Sequence, residues 1–321
     1  MVLVSPNIGR REAIGLGIES VPGTSVPPQI WLRWLTNAFQ NKTSVIENES
    51  AMGVVERVND SEVVAKWAEG TIGGKVTSEA IGFLLLGMFG SVQSSAPSSG
   101  ITTHTFALNQ SSVPATQTIA RNAPLGAQRH AYGTFDNLEI TNEAGGWVEV
   151  STAVKARVGV SSTETVAFVQ TEKEFTSKHI TIRVAADISS LAGASAIKAS
   201  SVKISMERSS EAFNPLGTDD QPEFDRGSFE AKGEFVVRMT DSQYEEDFLA
   251  NTMKAMRIIL ANGTTSLELT AGRVRYRELE SSRDRDATTT ATVQFFCEFN
   301  ATQNASIVPV LKNVRTAYVA A

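Results

Sequence analysis

The chain has 321 residues, 41% of them hydrophobic and 20% charged, with a formal net charge of −6. That length allows two domains, each with its own core. The acidic balance argues against a clamp on nucleic acid, which needs a basic stripe to neutralise phosphates, but not against a surface past which DNA slides. The single cysteine, Cys297, excludes a disulfide framework and a cysteine-based zinc site, and His104, His130 and His179 are too scattered to suggest a metal cluster.

The first residues, Met-Val-Leu-Val-Ser-Pro, lack the basic and apolar regions of a secretory signal, so synthesis and assembly in a cytoplasm are expected. Residues 1–28 read as an extended arm, because Pro22-Gly23 and Pro27-Pro28 break any helix. Residues 29–39, with Ile30, Trp31, Leu32, Trp34, Leu35 and Phe39, predict a first strand. A polar loop over about 40–61, carrying Glu47 and Glu49, leads to a second strand near 62–76. In that strand Trp67, Glu69, Thr71 and Lys75 share a polar side, and Ala68, Ile72 and Val76 a core side.

A helix follows from Ser78, apolar nearly all round: Ile81, Phe83, Leu84, Leu85, Leu86, Met88, Phe89. Interrupted by Gly82 and Gly87, it is too short to cross a bilayer, and no membrane anchor is expected. A helix greasy on every side must be covered on every side, either by its own module or by a neighbouring subunit. Residues 91–100 predict a flexible loop, and residues 135–141 and 148–158, around a turn at 142–146, a hairpin. Ser189–Ser195 reads as a joint between modules.

In the second half, residues 199–207 alternate Val202, Ile204 and Met206, and a long loop over 209–226 holds Pro215, Gly217, Asp219 and Asp220. Along 228–239 the core side holds Phe229, Ala231, Gly233, Phe235, Val237 and Met239, opposite Glu230, Lys232, Glu234 and Arg238. Thr240-Asp-Ser-Gln243 fits a capping box before a helix with Tyr244, Phe248 and Leu249 on one stripe. Asn262-Gly263 marks a hairpin between 256–261 and 267–270. The last long strand alternates Ala291, Val293, Phe295, Cys297 and Phe299 inward.

The halves echo one another. Gly70, Ile72, Lys75, Val76, Thr77 and Ser78 answer to Gly233, Phe235, Arg238, Met239, Thr240 and Asp241, at 233 − 70 = 163 and 241 − 78 = 163. Each half orders strand, long loop, strand, helix, as expected of a duplicated module.

No P-loop, His-Glu-x-x-His or Gly-x-Ser-x-Gly pattern occurs, and Gly15-Leu-Gly17 lacks a third glycine. Cys297 on an inward face reads as a buried thiol rather than a nucleophile, and His130 and Asp136 as structural rather than catalytic. Arg283-Asp-Arg-Asp286 reads as a solvated turn of alternating charge. Arg273, Arg275 and Arg277 line one strand face, fit either for phosphate or for acidic residues of a neighbouring copy. No catalytic residue, cofactor or metal is expected.

The stretch Gly15-Leu-Gly-Ile-Glu-Ser-Val-Pro22-Gly23-Thr24-Ser-Val-Pro27 before the Trp31-Leu32 strand resembles the tail tube proteins of long, non-contractile-tailed bacteriophages. So do Gly70 to Lys75 running into an apolar helix ending at Gly90, and Glu174-Phe175-Thr176 before the second module. The resemblance implies a mainly β (α+β) fold: two tandem tail-tube-type β-sandwich modules, each with a flanking helix and a long inter-strand loop. The expected division is an arm over 1–28, a first module over 29–190 and a second over 191–321, without an appended immunoglobulin-like domain.

The family would make the chain a structural subunit of the virion tail. Its copies would close into homotrimeric rings stacked around a lumen that conducts the genome. Partners would be further copies, the tape measure, terminator and distal tail proteins, and DNA passing without specific binding. Expected lumen-lining residues are Glu69, Thr71, Lys75, Glu230, Lys232, Glu234 and Arg238, with the outer wall as the alternative position. Expected subunit or ring contacts are Pro22, Gly23, Trp31, Glu47, Glu49, Phe83, Leu85, Phe89, Pro215, Asp219 and Asp220. Two other readings stand beside this one: a decoration or adhesin-like β-rich assembly protein, which would purify as monomers, and a hydrolase, whose activity would depend on His130 or Asp136.

Overall fold

The computed structural model describes residues 8–111, 113, 115–220, 222–282, 285 and 288–320. In chain order the first half forms β1 (Ala13–Ile18), β2 (Ile30–Leu32), β3 (Trp34–Asn37), β4 (Gln40–Asn48), β5 (Asp60–Lys75), α1 (Ala80–Phe89), β6 (Gly90–Ser94), β7 (Thr102–Leu108), β8 (Gln117–Ala123), β9 (Gly126–Phe135), β10 (Asn137–Glu143), β11 (Glu149–Ala156) and β12 (Val160–Ser162). The second half forms β13 (Ile180–Ala185), β14 (Ala196–Ile197), β15 (Ala199–Glu207), β16 (Ser210–Phe213), β17 (Glu223–Arg226), β18 (Glu230–Arg238), α2 (Gln243–Leu249), β19 (Lys254–Asn262), β20 (Thr265–Ser282), β21 (Thr290–Cys297) and β22 (Val308–Asn313). Among the described residues all the strand pairs are antiparallel, an arrangement that lets a sheet keep one face in water.

Eight strands make one layer in the order β4–β5–β11–β10–β15–β18–β21–β20. Behind it lie β2–β1–β8–β9 from the first half and β14–β13–β19–β20 from the second. Chain segments β9–β10 and β20 each pass from the back layer to the front one. At each crossing one residue is extra: Asp136 lies between the pairs Phe135↔Val154 and Glu139↔Ser151, and Arg277 between Tyr276↔Phe295 and Glu278↔Gln294. Such a bulge bends a strand. Most of the interior is one hydrophobic cluster running through both halves, with a smaller one of Ala13, Trp31 and Ala120 beside it.

Helix α1 forms the centre of the first half. Leucine-rich sequence favours the helix, and Gly90 in the left-handed conformation (φ 86°) ends it. The buried Glu172 carboxylate accepts from the Ala80 and Glu79 amides at 2.8 and 3.0 Å, giving the helix N-terminus an anionic partner. At the other end the buried Arg226 guanidinium donates to the carbonyls of Gly87, Met88 and Phe135, each at 2.9 Å. Every residue of α1 is buried within the chain itself, so of the two covers open in the sequence the molecule uses its own.

Gly70 and Gly233 explain the shared glycine. A Cβ at Gly70 would sit 2.2 Å from the Ala38 carbonyl oxygen, and at Gly233 2.3 Å from that of Lys203. In both halves a neighbouring backbone crosses too closely for any side chain.

Several sequence expectations change. The described part of the expected arm, residues 8–28, is not free: β1 is buried throughout and paired on both edges, because Ile14, Leu16 and Ile18 supply core side chains. Over 40–61 most of the expected loop is strand, since β4 pairs with β5 and leaves only 49–59 irregular. Likewise 209–226 contains the hairpin β16–β17. The capping box before α2 does not form; Ser242 Oγ turns to Glu246, and Asp241 accepts from the Gln243 amide. Phe299 lies beyond β21 and is exposed.

Candidate assembly surface

The front layer has one apolar and one polar face. Direct cross-strand partners share a face, so the register fixes membership. Glu69 lies opposite Lys155, Thr71 opposite Ala153, and Lys75 opposite Glu149. Farther across the sheet, Lys203 lies opposite Glu234, Ser205 opposite Lys232, and Glu207 opposite Glu230. Arg238 lies opposite Thr290. All seven residues expected to line a lumen therefore stand on this one polar face. Behind them Ala68, Ile72, Ala231, Phe235 and Val237 are buried.

Charges on this face neutralise one another. Lys203 Nζ is 2.8 Å from Glu139, and Lys232 Nζ is 3.0 and 3.2 Å from Glu230 and Glu207. Hydrogen bonds to these carboxylates raise both lysine pKa values. A lysine already held by a carboxylate has little left to offer a phosphate or any other anion.

Two hairpins project beyond the layers. In the first, β4–β5, Val45, Ile46, Val63 and Val64 are exposed, and at its end Val55 is 99% exposed beside Met52 and Val54. In the second, β16–β17, Phe213 and Leu216 are exposed. Lys66 ties the two together: its amide donates to the Asp219 carbonyl, and its ammonium lies 2.6 Å from the Asp219 carboxylate. A cleft of about 880 Å³ lies between them, lined by Val63, Val64, Trp67, Pro215, Leu216 and Phe224 among others. Polar tips would satisfy water; apolar tips this exposed mark an interaction surface.

The expected contact residues divide accordingly. Glu47 and Glu49 lie on the first hairpin and its loop, exposed, and Pro215, Asp219 and Asp220 on the second. Pro22 is exposed, and Gly23 (φ 83°) is turned back on its own chain by the Glu19 carboxylate. Trp31, Phe83, Leu85 and Phe89 are at most 3% exposed and belong to the core, so they are not contacts between subunits. Apolarity alone made them look like interface residues; burial by the back layer and by Tyr318 removes them from the surface.

Residues once considered for chemistry sit apart in structural roles. His130 Nδ1 donates to the Arg157 carbonyl and its ring meets Phe39 edge-on, while Asp136 binds Lys155 and Ser210. Burial pushes the His130 pKa down to about 4 and the Cys297 thiol up to about 12, where no thiolate forms at neutral pH. Arg273, Arg275 and Arg277 converge on one carboxylate, Glu298, of their own chain. Arg283, Asp284 and Asp286 of the alternating-charge turn lie outside the described residues. No helix is long and apolar enough to cross a membrane among the described residues.

The sequence reading missed the outer edges of the front layer. Thr36–Lys42 and Glu278–Ser282 each have one strand partner among the described residues, β5 and β21 respectively. The alternation of Leu279 with Glu278 and Glu280 signals a strand, but nothing local tells whether its second edge is filled.

Comparison with known proteins gives one match. A family model described as Phage tail tube protein matches residues 9–299. Among curated proteins no match to the chain was found.

Proposed function

Because this chain belongs to the phage tail tube protein family, we propose that its copies close into rings and that the rings stack around a channel conducting the genome. The protein is a structural subunit of the virion tail. The continuous eight-stranded layer carries the reading. It has one charge-balanced wet face, suited to a channel wall, and, among the described residues, an unfilled edge at each end.

Tandem modules are part of the proposal. Element limits support them: β5 and the β17–β18 segment begin at 60 and 223 and end at 75 and 238, while α1 and α2 begin at 80 and 243 (223 − 60 = 238 − 75 = 243 − 80 = 163). The hairpins that follow support them too, their extra residues lying at 136 and 277, with 277 − 136 = 141. Among the described residues β13 pairs only with β14 and β19, both of the second half, which favours a second module that starts before Ile180 rather than at 191. Two modules per chain make a trimer with six similar positions the natural ring. Glu69, Thr71, Lys75, Glu230, Lys232, Glu234 and Arg238 then face the lumen, and the apolar hairpin tips meet the next ring. Tape measure, terminator and distal tail proteins would meet the tube along its lumen and at its ends.

Negative-stain images of purified protein test this. Rings or tubes are expected; a population of single copies at all concentrations would overturn it.

A further inference from the structure

The ring reading leaves open which strands join one copy to the next, and the chain contains one such junction already. β10 holds β11 on one edge and β15 on the other, with Asn137 opposite Glu207 and Thr141 opposite Lys203. This pairing joins the front strands of the first half to those of the second.

Both partners have counterparts at the layer's outer edges. Glu139↔Ser151 and Thr141↔Glu149 in the hairpin β10–β11 match Glu280↔Thr292 and Ser282↔Thr290 in β20–β21, all four at an offset of 141. The end of β20, Glu278–Ser282, therefore stands where β10 does. On the other side, β15 pairs with β18 as residues 36–42 pair with β5. Ser205↔Lys232 answers to Gln40↔Glu69, at 205 − 40 = 165 and 232 − 69 = 163. Residues 36–42 therefore stand where β15 does. Each of these two segments has an open edge among the described residues, and the edge that is open is the one its counterpart uses for β10–β15.

We propose that Glu278–Ser282 of one copy pairs antiparallel with Ala38–Lys42 of a second copy, repeating between chains the β10–β15 junction within one. The offsets set the register: 137 + 141 = 278 and 207 − 165 = 42 put Glu278 opposite Lys42, and 141 + 141 = 282 and 203 − 165 = 38 put Ser282 opposite Ala38. This rests on the ring reading and names its closing contact. Chemistry favours the register. Gln40 and Lys42 lie on the polar face with Glu69 and Trp67, so the charged pair Glu278 and Lys42 meets on the wet side. The internal junction likewise has an ion pair across it, Lys203 to Glu139 at 2.8 Å. Opposite charges across a strand pair favour that pairing, and filling the edge removes an aggregation-prone template.

Cysteines at both positions, E278C with K42C, test the junction in the full chain. Facing residues of antiparallel strands are about 4.5–5.5 Å apart at Cα, within disulfide reach. Mild oxidation of assembled protein is expected to give covalent trimers on a denaturing gel. E278C paired with Asn41→Cys, whose side chain leaves from the opposite face, is expected to give few. Separately, E278K and K42E should each weaken assembly by about fivefold per junction, and the double reversal should restore it. Rings or tubes in micrographs without the E278C–K42C cross-link would overturn this junction and leave the ring reading standing. A double reversal no better than either single one would also overturn it. Wild-type protein that forms neither rings nor tubes would overturn the ring reading itself.

Discussion

Replacing Arg226 with methionine tests how the second half is locked to helix α1. The guanidinium donates to three buried carbonyls, two at the end of α1 and one on β9. A hydrogen bond with a charged partner contributes about 1.5–3 kcal/mol, so three amount to about 4.5–9 kcal/mol. Against this, burial lowers the Arg226 pKa to about 10; measured from an ordinary arginine value of about 12.5, that corresponds to about 3 kcal/mol returned when the charge is removed. The balance is about 2–6 kcal/mol, centred near 4. Methionine fills much of the same space but leaves the carbonyls without donors. Urea unfolding at low protein concentration should show a loss of about 4 kcal/mol, with the melting temperature falling by about 6 °C at this chain length. Arg226→Lys should lose roughly half as much, because an ammonium lacks the planar fork. An Arg226→Met protein within about 1 kcal/mol of wild type would refute the reasoning.

Other expectations follow from burial and charge. Deleting residues 1–28 removes interior strand β1, so the product should be insoluble or unfolded by circular dichroism. Leu85→Asp buries a carboxylate where Leu85 is fully enclosed and should yield aggregated protein; soluble, assembling mutant would contradict the packing. His130 should make stability pH-dependent. Its folded pKa is depressed to about 4, so the contribution is complete above the unfolded value of 6.5 and is lost as pH falls towards 4. Protonation would add an N–H at Nε2, which has no partner there. Up to about 3 kcal/mol is at stake, and His130→Phe should flatten that part of the stability profile. Gly87→Ala places a Cβ 2.3 Å from the Phe135 ring and should cost about 1–3 kcal/mol by thermal melt.

Periodicity and punctuation made much of the fold legible. Alternation along 62–76 and 228–239 set which residues face the core, since a period of two leaves a half-wet strand no other choice. Asn262-Gly263 marked the β19–β20 turn, and Cys297 was recognisable as a buried thiol from its place among Ala291, Val293 and Phe295. The seven polar residues offered as a channel face do share one face, because register carries a local alternation across the sheet.

Long-range pairing was not legible. Pro22-Gly23 correctly marked a turn, but a turn does not say whether the strand before it is free or interior; only β2 and β8 on either side of β1 decide that. The same holds for Phe83, Leu85 and Phe89, whose apolar character fits a subunit interface and a core equally until Tyr318, more than two hundred residues away, closes over Phe83. By itself the sequence determined which face most strands must bury, since that follows from neighbouring residues, though Phe299 and Leu249, read as inward, are exposed. Tertiary structure alone decided what each is buried against and which edges stay open, since partners of a strand are chosen across the whole chain.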